Sequence, residues 1–407
     1  MHRIYTLIAV CALFSLQACS RQEDNRDEKE LTAKVDQFME DHRKEWDAFE
    51  NIIADVPGDS ASAAANADRF RQQPFYKSYQ AFLKDNNGLY TKIRTARLEQ
   101  YAPSPAALKS VKWHTPGWLE KDKATFDVIS LSFLRSWEPF GPGQTIFNMI
   151  LPGLAAENYY TAEEINGYYR AREIFAFQVY AEPAGEGKYQ VWLADRTMAI
   201  TFLLQLSDYT VRDIRYTQPK DPAYANIQWT ASVVKPLDET SKMAGEMRQL
   251  MWENYKSFDP AQYAMYETQR NITLQAYYNK HQEQFKRIRE TQLEQAKQGS
   301  PSFVGYSEKT KADEVVNAQG GYGGQAFLQP GDWMNVVYNT TGAFFDEDPA
   351  KIGLRLARNA MFKTVTYAKK LEDDRWEVHI VSDTDIVGYI WDLDTGNISS
   401  PRYWLKS

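Results

Sequence analysis

Lys188-Tyr189-Gln190-Val191-Trp192-Leu193-Ala194-Asp195 and Arg375-Trp376-Glu377-Val378-His379-Ile380-Val381-Ser382 stand 187 residues apart and carry one alternation. Tyr189, Val191 and Leu193 fall on one side of an extended chain, as do Trp376, Val378 and Ile380. Working outward, residues 161–216 can be laid on 348–403 without a gap. Nine identities fall in these 56 positions, from Ile165 on Ile352 to Tyr216 on Tyr403, against about three expected from composition. The substituted pairs keep the pattern as well: Tyr189 meets Trp376, Leu193 meets Ile380, Ile200 meets Val387 and Phe202 meets Tyr389.

Each copy reads as one helix followed by three antiparallel strands joined by short polar turns. The helices are expected over 162–172 and 349–361, opened by Thr161 and Asp348 in the capping position. The strands are expected near 174–181, 188–195 and 198–207, and near 363–370, 375–382 and 386–393. The fold class is therefore α+β, with helical segments packed on two small antiparallel sheets that arise by internal duplication.

Around the modules the spacing is helical. Leu31, Val35, Phe38, His42, Phe49 and Ile53 predict a helix over 29–55, ended by Pro57-Gly58-Asp59. A second helical stretch covers 61–99, and 126–134 reads as a strand. A third helical block covers 238–298, divided at Asp259-Pro260, with Leu274, Tyr278, His281, Phe285 and Ile288 on one stripe packed within the protein. The chain then divides into residues 31–236 and 237–407, one module in each.

The first residues carry a different signal. His2 and Arg3 precede an apolar run over 4–16 that is too short to span a bilayer, the form of a secretory signal peptide. It ends at Leu16-Gln17-Ala18-Cys19, which resembles the lipobox of bacterial lipoproteins. That resemblance implies removal of 1–18, lipidation of the Cys19 thiol, and a polar tether over 19–30. In that class Ser20, in place of Asp, implies the outer membrane. Cys11 would leave with the signal peptide, so the mature chain would keep no free thiol for disulfides, thiolate metal sites or nucleophilic catalysis. The whole chain carries 47 basic and 54 acidic residues, a net charge of −7. Without a basic block it does not suit nucleic acid.

The second module ends Tyr389-Ile390-Trp391-Asp392-Leu393-Asp394-Thr395-Gly396-Asn397-Ile398 and resembles a PepSY-type module, whose last strand runs into an Asp-x-Thr-Gly turn. The first copy departs there, with Leu206-Ser207-Asp208-Tyr209 and no glycine. The resemblance implies an exported interaction or inhibitory module and no catalytic residues.

Motifs for chemistry are scarce: the chain has no His-Glu-x-x-His, Gly-x-Ser-x-Gly or phosphate-loop pattern. His42, His114, His281 and His379 lack ligand-like spacing, and His379 is expected to face solvent from a strand. Ser232-Val233-Val234-Lys235 matches the Ser-x-x-Lys of acyl-enzyme hydrolases, but its valines and Pro236 make it extended where a helix start is needed. Asp346, Glu347 and Asp348 read as a helix start, and Asp392-x-Asp394-x-Gly396 as a turn after a strand. Gly320, Gly321, Tyr322, Gly323 and Gly324 form a candidate binding loop. No catalytic, cofactor or metal residues are assigned. The expectation is a membrane-anchored envelope lipoprotein that binds another protein through non-enzymatic contacts of an interaction, inhibitory or immunity type. The alternatives are an envelope hydrolase using Ser232 and Lys235, and a structural assembly lipoprotein.

Overall fold

The computed structural model describes residues 26–54, 69, 71–116, 134, 146–147, 150, 154, 161, 177–195, 198–218, 221–254, 262–309, 358 and 361–407. The described helices are α1 (Arg26–Asp41), α2 (Arg43–Ala54), α3 (Pro74–Asp85), α4 (Asn87–Leu98), α5 (Pro222–Ala225), α6 (Glu239–Asn254), α7 (Tyr263–Lys280) and α8 (Gln282–Gln295). The strands are β1 (Trp113–His114), β2 (Gln178–Pro183), β3 (Lys188–Ala194), β4 (Ala199–Gln205), β5 (Val211–Thr217), β6 (Lys297–Gln298), β7 (Tyr306–Glu308), β8 (Val365–Lys370), β9 (Arg375–Val381), β10 (Asp385–Asp392) and β11 (Ile398–Lys406). They form one sheet in the order β1-β5-β4-β3-β2 and another in the order β6-β8-β9-β10-β11-β7. All neighbours are antiparallel except β6 and β8. The α+β class holds. The chain divides into two compact units between Tyr266 and Glu267, inside α7. The boundary read at 236/237 falls in the connection before α6.

The duplication extends to the hydrogen-bond register. Every residue pairing of β2 with β3, β3 with β4 and β4 with β5 recurs 187 positions later in β8 with β9, β9 with β10 and β10 with β11. Even the irregularity between Thr201 and Leu203 recurs between Gly388 and Ile390. A bulge is a built feature of a sheet and not a defect, so its recurrence at one register marks two copies of a single design. Three left-handed backbone positions recur at the same offset: Gly187 with Asp374, Tyr209 with Gly396 and Asp213 with Ser400. Each copy has four strands where the sequence suggested three. The fourth, β5 or β11, hides from a period-two reading because the bulge and the left-handed Asp213 or Ser400 break its alternation.

A second repeat lies in the helices, at an offset of 195. From Gln80 to Gln100, seven residues equal their counterparts, including Ile93-Arg94 with Ile288-Arg289 and Leu98-Glu99-Gln100 with Leu293-Glu294-Gln295. α3 and α4 meet at Asn86 (φ −105°, ψ 11°), and α7 and α8 meet at His281 (φ −116°, ψ 20°). The stripe read through 274–288 is therefore broken at His281, though Leu274, Tyr278, Phe285 and Ile288 are all buried. The helix expected over 29–55 is likewise broken at His42, whose Nδ1 lies 2.9 Å from the Phe38 carbonyl.

These paired helices pin the last hairpin of each sheet. In the first unit Arg94, fully buried, lies over the rings of Tyr90 and Tyr209 at 4.3 and 4.1 Å and donates to the carbonyls of Leu206 and Ser207. In the second, the Tyr278 hydroxyl donates to the equivalent carbonyls, Leu393 (3.4 Å) and Asp394 (3.0 Å). Arg289 Nη1 in turn donates to that hydroxyl at 3.2 Å. Burial lowers the affinity of both guanidiniums for their proton, and the nearby tyrosines oppose the effect.

Candidate binding face

One face of each sheet meets its helix pair, through Leu98 in the first unit and through Arg289 over Trp391 in the second, and the two units differ on the other face. Residues directly opposite across antiparallel strands share a face. In the second unit Tyr367, His379 and Gly388 are such partners, flanked by Val365, Val381 and Ile386 on one side and Lys369, Glu377 and Ile390 on the other. Trp404 stands beside Ile386 on β11. The first unit has Gln178, Tyr180 and Glu182 on β2, and Trp192 and Thr201 where the second has His379 and Gly388.

In the first unit the chain covers this face itself. Tyr180, Ala194 and Ala199 pack with Leu108, Tyr224, Ile227 and Trp252. Trp229 stacks 6.3 Å from Tyr180 and meets Trp252 edge-on at 4.9 Å. The Tyr180 hydroxyl donates to the Thr230 carbonyl at 2.8 Å, and Gln178 Nε2 donates to Gln249 of α6 at 2.9 Å. Gln178 and Tyr180 are 1 % and 0 % exposed.

In the second unit the same positions are open. Val365, the counterpart of Gln178, is 37 % exposed, and Tyr367, the counterpart of Tyr180, is half-buried. Lys297 Nζ lies 4.7 Å above the Tyr367 ring and donates to its hydroxyl at 2.9 Å. Only the far side of the face is filled. Phe303 lies 5.4 Å from the His379 ring and 4.7 Å from Trp404, with Val304 beside it almost fully exposed.

His379 corrects the expectation of a solvent-facing histidine, since it is 4 % exposed. Gly388 is the reason: a Cβ there would lie 2.7 Å from His379 Cδ2 and 2.9 Å from Trp404 Cζ3, so the missing side chain makes the imidazole's seat. Burial lowers the His379 pKa, opposed by Glu377 on the same strand. Its Nδ1 has no hydrogen-bond partner among the described residues.

The other sequence candidates separate clearly. Ser232 is buried and Lys235 exposed on a bent segment with a single bridge at Val233, where the extended reading expected a strand-like run, and the Ser232 carbonyl accepts from Ala102 N–H at 2.7 Å. Neither residue stands at the helix start that serine activation by lysine uses. Asp392, Asp394 and Gly396 form a turn in which Asp392 Oδ1 accepts from Thr395 N–H at 2.8 Å. Lys286 of α8 ties that turn to the preceding one, reaching Asp394 at 2.6 Å and Asp374 at 2.8 Å. Those hydrogen bonds raise the lysine pKa and hold Asp374 below the usual carboxylate range. No group of three or more metal-ligating side chains stands among the described residues. Cys19, Gly320, Gly321, Tyr322, Gly323, Gly324 and the 346–348 cluster lie outside the described residues. Sequence reading missed the open face because its signal is a difference between two copies in register. No family model, curated protein or solved structure matches the chain.

Proposed function

We propose that this chain is a cell-envelope lipoprotein, held in the outer membrane by lipid on Cys19, that acts by binding another envelope protein without covalent chemistry. The observation that carries the reading is the change at two equivalent positions: Gln178 and Tyr180 are sealed inside the first unit, while Val365 is exposed and Tyr367 half-buried in the second. An apolar and aromatic strip kept open on one copy of a fold that elsewhere covers it is the kind of surface that partners use. The Leu16-Gln17-Ala18-Cys19 lipobox supports the anchor, and the PepSY-like turn supports an exported interaction module.

The test is a crosslinked pull-down of the mature lipoprotein from its own envelope. One protein partner at fixed stoichiometry is expected, with no labelling by a serine-reactive phosphonate. Labelling of the wild type that Ser232→Ala abolishes would instead establish the hydrolase alternative.

A further inference from the structure

We infer that the open strip on β8 and β9 is the docking site for an acidic amphipathic helix of the partner, an inference that rests on the binding reading above. The first unit supplies the template. There the equivalent strip is covered by α6, whose Gln249 meets Gln178 and whose Trp252 packs into the aromatic cluster with Trp229. Identical strand register gives the two strips the same spacing, so a helix that meets β2 in one unit has an equivalent row of positions on β8 in the other, bordered there by Lys297 of β6. At its start the bed is more apolar there, with Val365 for Gln178 and Val381 for Ala194, while His379 takes the place of Trp192 at its middle.

Charge sets the chemistry of the occupant. Glu182 at the end of the first strip accepts from the backbone N–H and hydroxyl of Ser104, both at 2.9 Å. Its counterpart in the second unit is Lys369, exposed, and Lys297 is exposed beside Tyr367 on the neighbouring strand. Arg402, across from Gly388 on β11, is exposed as well. The same face carries Glu377 opposite Lys369, Asp392 opposite Arg375 and Glu308 opposite Trp404, with Lys406 two places beyond Trp404, so its cations outnumber its carboxylates by five to three. In a chain whose net charge is −7, a strip with this cationic excess complements carboxylates on the partner.

The experiment places the photoreactive residue p-benzoylphenylalanine at Val365 and, separately, at Tyr367 in the full-length lipoprotein, and irradiates intact cells. Val365 is exposed and Tyr367 half-buried with Lys297 as its neighbour, so the Val365 replacement leaves the core intact and the Tyr367 replacement gives up one surface contact. The expected adduct, mapped by mass spectrometry, is with an acidic amphipathic segment of another envelope protein. Its yield should fall at least about fivefold in a Lys297→Glu, Lys369→Glu variant and fall with added salt. Adducts mapping to residues 310–357 of the same chain, to a second copy, or to lipid would overturn the inference. So would the absence of an adduct at both positions. If the pull-down still retains a stoichiometric partner in those cases, the docking site fails and the binding reading stands. If it retains none, both fail.

Discussion

At Gly388 there is no room for a methyl group, and that one position explains how a histidine comes to lie inside a strand face. Gly388→Ala should force His379 or Trp404 aside and cost about 1–3 kcal/mol, read by urea unfolding, with part recovered when His379→Ala is added. The buried imidazole also sets a pH dependence. In the unfolded chain a histidine titrates near 6.5, and burial holds His379 below that value in the fold. As pH falls through 6.5 the unfolded chain takes up the proton first, so the contribution to stability is complete above that pH and is lost below it. Unfolding midpoints measured between about pH 7.5 and pH 5 should drop for the wild type by more than for His379→Gln. None of this was legible in the sequence. Glu377-Val378-His379 reads as a strand with a polar outward residue, and only the cross-strand register brings Gly388 beneath the ring.

At the scale of elements, what the sequence expressed locally was readable, and what depended on gaps or irregular backbone was not. The strands around Val191 and Val378 stand where alternation put them. The helix-pair repeat escaped because its offset is 195 and that of the sheets is 187, so no ungapped alignment spans both. The break at His42 escaped because Leu31, Val35, Phe38 and Phe49 keep one helical stripe across it. α1 is fixed to α4 by the buried pair of Glu28 with Arg97, bidentate at 2.9 and 3.0 Å. Breaking one partner of such a pair strands the other charge, so Glu28→Gln should lower the thermal stability of the first unit by about 3–5 kcal/mol. The joint replacement Glu28→Leu with Arg97→Met removes both charges and should cost less than either single change. A double-mutant cycle by denaturant titration checks both.

For the whole molecule, two copies of one sheet differ in what covers their second face. The first covers its second face with its own residues 102–111 and 221–254, and the second leaves Val365 and Lys369 exposed there with Tyr367 half-buried. The proposed anchor would bring that strip to the membrane surface on the tether over 19–30. Cys19→Ala should leave an unprocessed precursor that takes up no fatty-acid analogue, and normal labelling of that variant would end the lipoprotein reading.

The most direct measurement uses the absence of cysteine after position 19. A thiol introduced by Val365→Cys or by Gln178→Cys can be timed against a maleimide in the purified protein and in intact envelopes. In the purified protein the account predicts fast labelling at 365 and slow labelling at 178. In the envelope, labelling at 365 should slow at least about tenfold as the partner covers it, a protection set by mass action. Equal rates at 365 in the two settings would contradict the claim that this face is a binding surface. Slow labelling at 365 in the purified protein would show that the chain covers both faces itself.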